Sequence, residues 1–195
     1  MSPRARRLAL PLLALAVGIV ALGTAVYVTL LPRGASSVSV GGPFALTAGN
    51  GSTLTDRDLR GAPYLVFFGF THCPDVCPTK LFQLSEMFRA MGDKGRNVRA
   101  LFITVDPERD TPELMKTYVA SFDDRITGLT GNREAIDAVV RAFRAYAKKV
   151  PTKDGDYTME HTSLVYLMGK DGQFIGSFNV DRPPEEAAKD LLRRV

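Results

Sequence analysis

From residue 8 to residue 31 the chain reads LALPLLALAVGIVALGTAVYVTLL, 24 positions without a charge. A helix of that length rises about 36 Å, enough to cross a hydrocarbon core of about 30 Å with some tilt. Arg4, Arg6 and Arg7 precede it, the kind of flank that stays on the cytoplasmic side of a membrane. The run is longer than the roughly 7–15 apolar residues of a cleaved secretory signal, and no small-x-small cleavage site directly follows it in LPRGASS. An uncleaved anchor is therefore expected over a removed signal, and in either case everything after Pro32 is exported. The expected order is a basic cytoplasmic flank at 1–7, a transmembrane anchor at 8–31, a Gly/Ser-rich tether at 32–42 and one folded domain at 43–195.

Within that domain the apolar spacing changes repeatedly between the strand and helix periods. PFALTAGNGSTLTDRDLRG predicts a strand, an Asn-Gly turn and a second short extended piece. The uninterrupted apolar run 64–70 (YLVFFGF) and the run 98–106 (VRALFITVD) predict buried central strands. Leu81, Leu84, Met87, Phe88 and Met91 make a helical stripe over 78–91. A second helix is expected after Thr111, with Thr111 as N-cap, Pro112 at the first helical position and Glu113 in the first turn. Residues 132–150 (NREAIDAVVRAFRAYAKKV) predict a long helix, apolar at Ile136, Val139, Val140, Phe143 and Ala147. A polar loop at 151–160, strands over 163–169 and 173–179 around a KDG turn, and a last helix after Pro183 and Pro184 complete the chain. Strands alternating with helices and closed by a hairpin define a layered α/β domain.

Charge matters only once it is located. The sequence pI is 9.2. Arg4, Arg6, Arg7 and Arg33 flank the apolar run, however, which leaves 21 basic against 21 acidic residues in the exported part. The basicity therefore belongs to membrane topology, and nucleic acid is excluded as an expected partner.

Both cysteines of the chain, Cys73 and Cys77, lie in FGFTHCPDVCPT, between the strand at 64–70 and the helix at 78–91. A purely structural disulfide is the plainest reading, and an exported location permits one. Closing so short a loop is worth only about 2 kcal/mol of chain entropy, and a domain this rich in apolar sequence does not need the staple. At a helix start the thiols are expected to have lowered pKa values, and Pro78 is expected to kink or restart the helix. Low-pKa thiolates exchange disulfides and bind soft metals.

Only two histidines are available as a further ligand. His72 adjoins Cys73, so in extended backbone it faces the other way. His161, in YTMEHTS, is expected at the N-terminal lip of the strand 163–169. On the residues alone it is as readily a hydrogen-bonded structural histidine as a ligand. Two thiolates and a neutral imidazole form a trigonal set suited to copper. Closed zinc sites use four protein ligands, for which Asp75, Asp156 or Glu160 would have to add an oxygen. Met168 reads as core, while Met159 in the polar loop is a softer and lesser candidate donor.

Taken together and in order, GFTHCPDVCPT, DPERDTPE, GLTG and YTMEHTS resemble the Sco/SenC family of membrane-anchored copper proteins, over a stretch running from about Phe44 to the C-terminus. The resemblance implies a thioredoxin-like fold, with copper, as Cu(I) or Cu(II), delivered to the CuA centre of cytochrome c oxidase subunit II. It puts Cys73, Cys77 and His161 on the three copper ligands, with HTSLVYL in the loop that faces the redox cysteines of thioredoxin-like proteins. The implied location is a single-pass inner (cytoplasmic) membrane protein, N-terminus inside and domain in the periplasm, or on the intermembrane-space side in a mitochondrion. A thiol reductase or another copper chaperone would be further partners. Glu160 stands where many relatives have Asp, and it keeps the charge. Asp106 and Asp110 read as caps of a strand end and a helix start. The alternative function is a thiol–disulfide oxidoreductase that reduces the acceptor's cysteines through Cys73 and Cys77, with His161 tuning the thiols. A peroxidase built on Cys73 is weaker, because the motif has no dedicated peroxide-activating residues.

Overall fold

Six consecutive buried residues, Tyr64–Gly69 (designated β3 in chain order), form an interior strand of a seven-stranded sheet. The computed structural model describes residues 15–24, 26, 27 and 39–195, and the chain divides into units 1–38 and 39–195. In the first unit the described residues are helical and fall inside the expected anchor. The rest of that anchor, the flank 1–7 and tether residues 32–38 lie outside the described residues. Among the described residues no helix is long and apolar enough to cross a membrane.

In the second unit the elements are strands β1 (Ala45–Ala48), β2 (Thr53–Thr55), β3, β4 (Arg99–Thr104), β5 (Ile126–Thr130), β6 (Ala147–Pro151), β7 (Tyr157–His161), β8 (Val165–Met168) and β9 (Phe174–Phe178). The helices are α1 (Val76–Met91), α2 (Pro112–Val119), α3 (Arg133–Ala142) and α4 (Pro184–Arg194). The large sheet has the order β2-β1-β5-β4-β3-β8-β9. Its centre, β3-β4-β5, is parallel, and antiparallel strands flank it on both sides. Parallel strands need helical crossovers that cover both faces, so β3 and β4 are apolar at nearly every position instead of alternating.

Aromatic contacts identify the two faces. Phe67 and Phe102, opposite each other in the β3–β4 register, stack at 5.9 Å, and Tyr118 of α2 continues the stack on Phe102 at 5.6 Å. Phe68 points the other way and meets Phe143, at the end of α3, and Tyr166 edge-on at 5.5 and 5.9 Å. The helices thus lie on both sides of one sheet, as the thioredoxin-like expectation requires. The second α-helix also begins as read: Thr111 Oγ1 accepts from the Leu114 N–H at 3.3 Å, with Pro112 at the first position.

Three expectations are corrected. Pro78 does not kink α1, because Asp75 is the N-cap and Pro78 is the third helical residue. Its missing N–H is one of the four that have no intrahelical partner anyway. The helix expected over 132–150 ends at Ala142. Phe143 caps it and Arg144 takes φ +52°, in the left-handed region, where an α-helix cannot continue. Ala147 happens to lie in register with the helical stripe, yet it begins β6. The expected polar loop 151–160 narrows to the turn 152–156, flanked by strand: β6 and β7 form an antiparallel hairpin that pairs Ala147 with His161. Finally, β5 was not among the expected strands, because ITGLT carries Gly and two Thr among only two large apolar residues. Its burial comes from its neighbours β4 and β1.

Candidate metal centre

Cys77 sits at the second position of α1 and is fully buried. Its N–H, one of the unpartnered donors of the helix start, donates to Cys73 Sγ at 3.4 Å. Cys73 lies ahead of the helix and is half-buried, with its own N–H on the Phe70 carbonyl at 3.3 Å. The two thiols are therefore not one turn apart on a common helix. Cys73 folds back over the end of α1 instead.

The seat beneath Cys77 is Gly69, the last residue of β3. A Cβ there would stand 2.6 Å from both Cys77 Sγ and Phe102 Cε2. No larger residue lets the sulfur rest against the strand. On the other side stands His161, at the end of β7 rather than at the lip of β8. Its ring meets Phe67 and Phe70 edge-on at 6.3 and 5.7 Å. His161 Nδ1 lies 3.1 Å from the Thr162 carbonyl oxygen, which can only accept, so Nδ1 carries the proton. Nε2 is left with its lone pair, 3.6 Å from Cys77 Sγ.

Burial dominates the protonation of this pair. It pushes the Cys77 thiol up, with the backbone of Phe70 opposing, and the neighbouring Cys73 adds to the rise. It holds His161 below its ordinary value, against hydrogen bonds with the backbone of Thr162 and Phe68. Both shifts favour the neutral forms. Without metal the pair is therefore a neutral thiol facing a neutral imidazole, and the expected low-pKa thiolate is corrected for Cys77. The helix start does not offset the desolvation of a sulfur with no exposed surface.

Cys73, Cys77 and His161 are brought together: their ligand atoms all lie within 4.8 Å of one another. Two sulfurs and one imidazole nitrogen, with the second ring nitrogen fixed by a carbonyl, form a donor set that fits a soft ion of low coordination number such as Cu(I). Cys73 and His161 line a cleft of about 310 Å³ together with Phe70, Pro74, Val76 and Met159, and Cys77 lies buried behind them. Met159 is thus beside the centre, whereas Met168 is core as expected. His72 stays outside the group, its Nδ1 3.1 Å from Thr71 Oγ1. Asp75, Asp156 and Glu160, the oxygens a four-ligand zinc site would have needed, are exposed and outside it as well.

Asp106 and Asp110 do more than cap. Both carboxylates are fully buried. Asp110 accepts from Thr71 N–H (3.1 Å), Thr71 Oγ1 (2.6 Å) and Thr104 Oγ1 (2.5 Å), which fixes the loop two residues before Cys73. Asp106 accepts from Arg109 Nε (2.5 Å) and from Tyr157 OH (3.0 Å), on the strand that ends at His161. Gly69, Thr71 and Tyr157 were not singled out from the sequence. Two acidic residues directly after a buried strand were the available signal, since a buried charge needs such partners.

Comparison with known proteins agrees with the fold and with copper as the metal. Residues 33–195 match the SCO1/SenC family. The mouse mitochondrial protein SCO1 homolog is 45% identical over 155 residues, 78% of this chain and 55% of the relative. SenC of Rhodobacter capsulatus is 35% identical over 192 residues, 92% of this chain and 87% of the relative. Among solved structures, Bradyrhizobium japonicum ScoI with copper bound superposes with a TM-score of 0.77 at 58% identity, over 80% of this chain and 100% of that one. BsSco, a member of the Sco family of cytochrome c oxidase assembly proteins in which a disulfide switch was identified, reaches a TM-score of 0.64 at 26% identity, over 80% and 93% of the two chains. The chain spans about half the length of the mammalian mitochondrial relatives, 55% of the mouse and 52% of the human protein. It belongs to the SCO1/SenC family.

Two outcomes follow from this geometry. Gly69→Ala is expected to cost about 1–3 kcal/mol in chemical denaturation, because the added methyl overpacks the Cys77 seat, and to weaken Cu(I) binding in parallel. Wild-type stability together with wild-type binding would contradict the seat. Cu(I) affinity is expected to climb with pH. The buried Cys77 thiol must lose its proton to bind, so each proton displaced adds about tenfold per pH unit. His161, already neutral at pH 7, adds nothing above that pH. Chelator competition at pH 7, 7.5 and 8 checks the slope, and a flat profile would mean that Cys77 binds no metal or is already ionised.

Proposed function

We propose that this chain is a membrane-tethered copper carrier that binds copper through Cys73, Cys77 and His161 and delivers it to the CuA centre of cytochrome c oxidase subunit II. The single observation that carries the reading is the convergence of two sulfurs and one imidazole nitrogen within 4.8 Å at an open cleft. The copper-bound state of the B. japonicum relative and the membership of BsSco in a family of oxidase assembly proteins support the cargo and the acceptor. In loading, Cu(I) replaces the Cys77 proton that faces His161 Nε2. In release, an acceptor thiolate enters from the open side, where Cys73 is half-buried and Cys77 is not reachable. Cys73 is then the first ligand exchanged and Cys77 the last.

The tether serves the same function. An anchor at 8–31 would confine the domain to the membrane of its acceptor and raise the effective concentration there. The apolar side chains Leu15, Val17, Ile19, Val20 and Leu22 support it, since each is 61–68% exposed in the helical segment and needs an apolar surrounding. On this reading residues 1–7 are cytoplasmic and the domain 43–195 is on the periplasmic or intermembrane-space side.

A second reading is favoured by the Cys77 N–H to Cys73 Sγ contact, which already brings the pair together, and by the disulfide switch of BsSco. As a thiol–disulfide oxidoreductase, Cys73 would attack an acceptor disulfide and Cys77 would resolve the mixed disulfide. Two electrons and two protons pass to the acceptor and a Cys73–Cys77 disulfide is left behind. His161 separates the readings. Anaerobic chelator competition on the full chain in detergent is expected to give one-to-one Cu(I) binding that weakens about tenfold or more in His161→Ala, a direct ligand being worth at least as much as an outer-shell partner. Binding indifferent to that substitution would leave thiol exchange as the function.

A further inference from the structure

The hairpin that carries His161 has modest apolar purchase on the domain: Met159 alone is buried, Ala147 and Tyr157 pack partly buried against the core, and the His161 ring meets Phe67 and Phe70. The hairpin's polar fastening centres on Tyr157. Its ring lies between two cations, Arg109 Cζ at 3.8 Å from the centroid and Lys149 Nζ at 3.7 Å. Its hydroxyl donates to the buried Asp106 at 3.0 Å, and its carbonyl accepts from Arg109 Nη1 at 3.2 Å. The outer cation is held in turn, since Lys149 Nζ lies 2.7 Å from Glu108. Every one of these partners except Lys149 comes from the segment 106–109, which follows β4. That same segment leads to Asp110, which fixes Thr71 two residues before Cys73.

We propose that Tyr157 is the positioning residue of the metal centre: clamped between Arg109 and Lys149 and tied to Asp106, it sets the span between His161 on the hairpin and the thiols beside α1. This rests on the copper-carrier reading. Lifting the hairpin would take the ring off Arg109 and its hydroxyl off Asp106, and would at the same time pull Lys149, which rides on the same hairpin, away from Glu108. The hairpin therefore keeps its distance from the sheet while the strand end at His161 adjusts to the metal. Asp106 and Arg109 act through Tyr157, and Asp110 acts through Thr71, so one short segment holds both halves of the ligand set in register.

The test is a double-mutant cycle read as Cu(I) affinity, on the full chain in detergent, using Tyr157→Leu, His161→Ala and the combination. Tyr157→Leu alone is expected to cost about tenfold or more, the usual range for a residue that orients a ligand. In the His161→Ala background it is expected to cost nothing further, because there is no imidazole left to place. Tyr157→Phe keeps the ring between the cations and is expected to restore most of the affinity, which also guards against a leucine variant that folds poorly. An equal loss in both backgrounds, or no loss from Tyr157→Leu when His161→Ala does weaken binding, overturns the clamp and leaves the three-ligand reading standing. Indifference to His161→Ala overturns that reading, and the clamp falls with it.

Discussion

The neutral contact between the Cys77 thiol and His161 Nε2, buried against the end of β3, is the constraint on which the rest of the centre depends. A sulfur with no exposed surface can be ionised only if something replaces the lost hydration, and the start of α1 does not suffice. A metal ion that brings its own positive charge does. Cys77 is thus held as a neutral thiol in the free protein and becomes a strong donor only as metal enters and its proton leaves. That behaviour suits a carrier better than a permanently activated nucleophile. Gly69 makes the arrangement possible by letting the sulfur lie flat against the strand, and the Phe67 and Phe70 rings hold the imidazole edge-on above it.

The two halves of this contact come from distant parts of the chain and are joined through one segment. Thr104, Asp106, Arg109 and Asp110 occupy the end of β4 and the turn that follows it. Their hydrogen bonds reach Thr71 on one side and Tyr157 on the other. Each buried carboxylate is satisfied by several donors, and charge-assisted bonds of this kind are worth about 1.5–3 kcal/mol each. The segment is well suited to keep Cys73 and His161 at a fixed separation without touching either. Apolar packing alone would not achieve this, because the hairpin of β6 and β7 buries only Met159.

Much of this was legible in the sequence, for reasons that can be stated residue by residue. The uninterrupted apolar run at 64–70 could only be a strand covered on both faces. The Thr111-Pro112-Glu113 helix start and the placing of both cysteines between a buried strand and a helix were equally explicit. The motif resemblance implied the ligand set, which the residues by themselves left open at His161, and the fold brings those three residues together. What escaped was set by tertiary context. Ala147 continued a helical stripe that Arg144 had already broken, so the hairpin carrying His161 was read as helix and loop. The thiol protonation was misjudged because a helix start is visible in a sequence while the depth of a sulfur is not. Tyr157 and Thr71 gave no local signal, since their roles exist only once residues far apart in the chain meet.

The most direct test of the central claim is X-ray absorption at the copper edge of the Cu(I)-loaded protein. Two sulfur scatterers and one nitrogen with the multiple-scattering pattern of imidazole, losing the imidazole in His161→Ala, is the predicted result. A sulfur-only shell, or copper–copper scattering from a cluster bridged between chains, would contradict a mononuclear centre made of Cys73, Cys77 and His161.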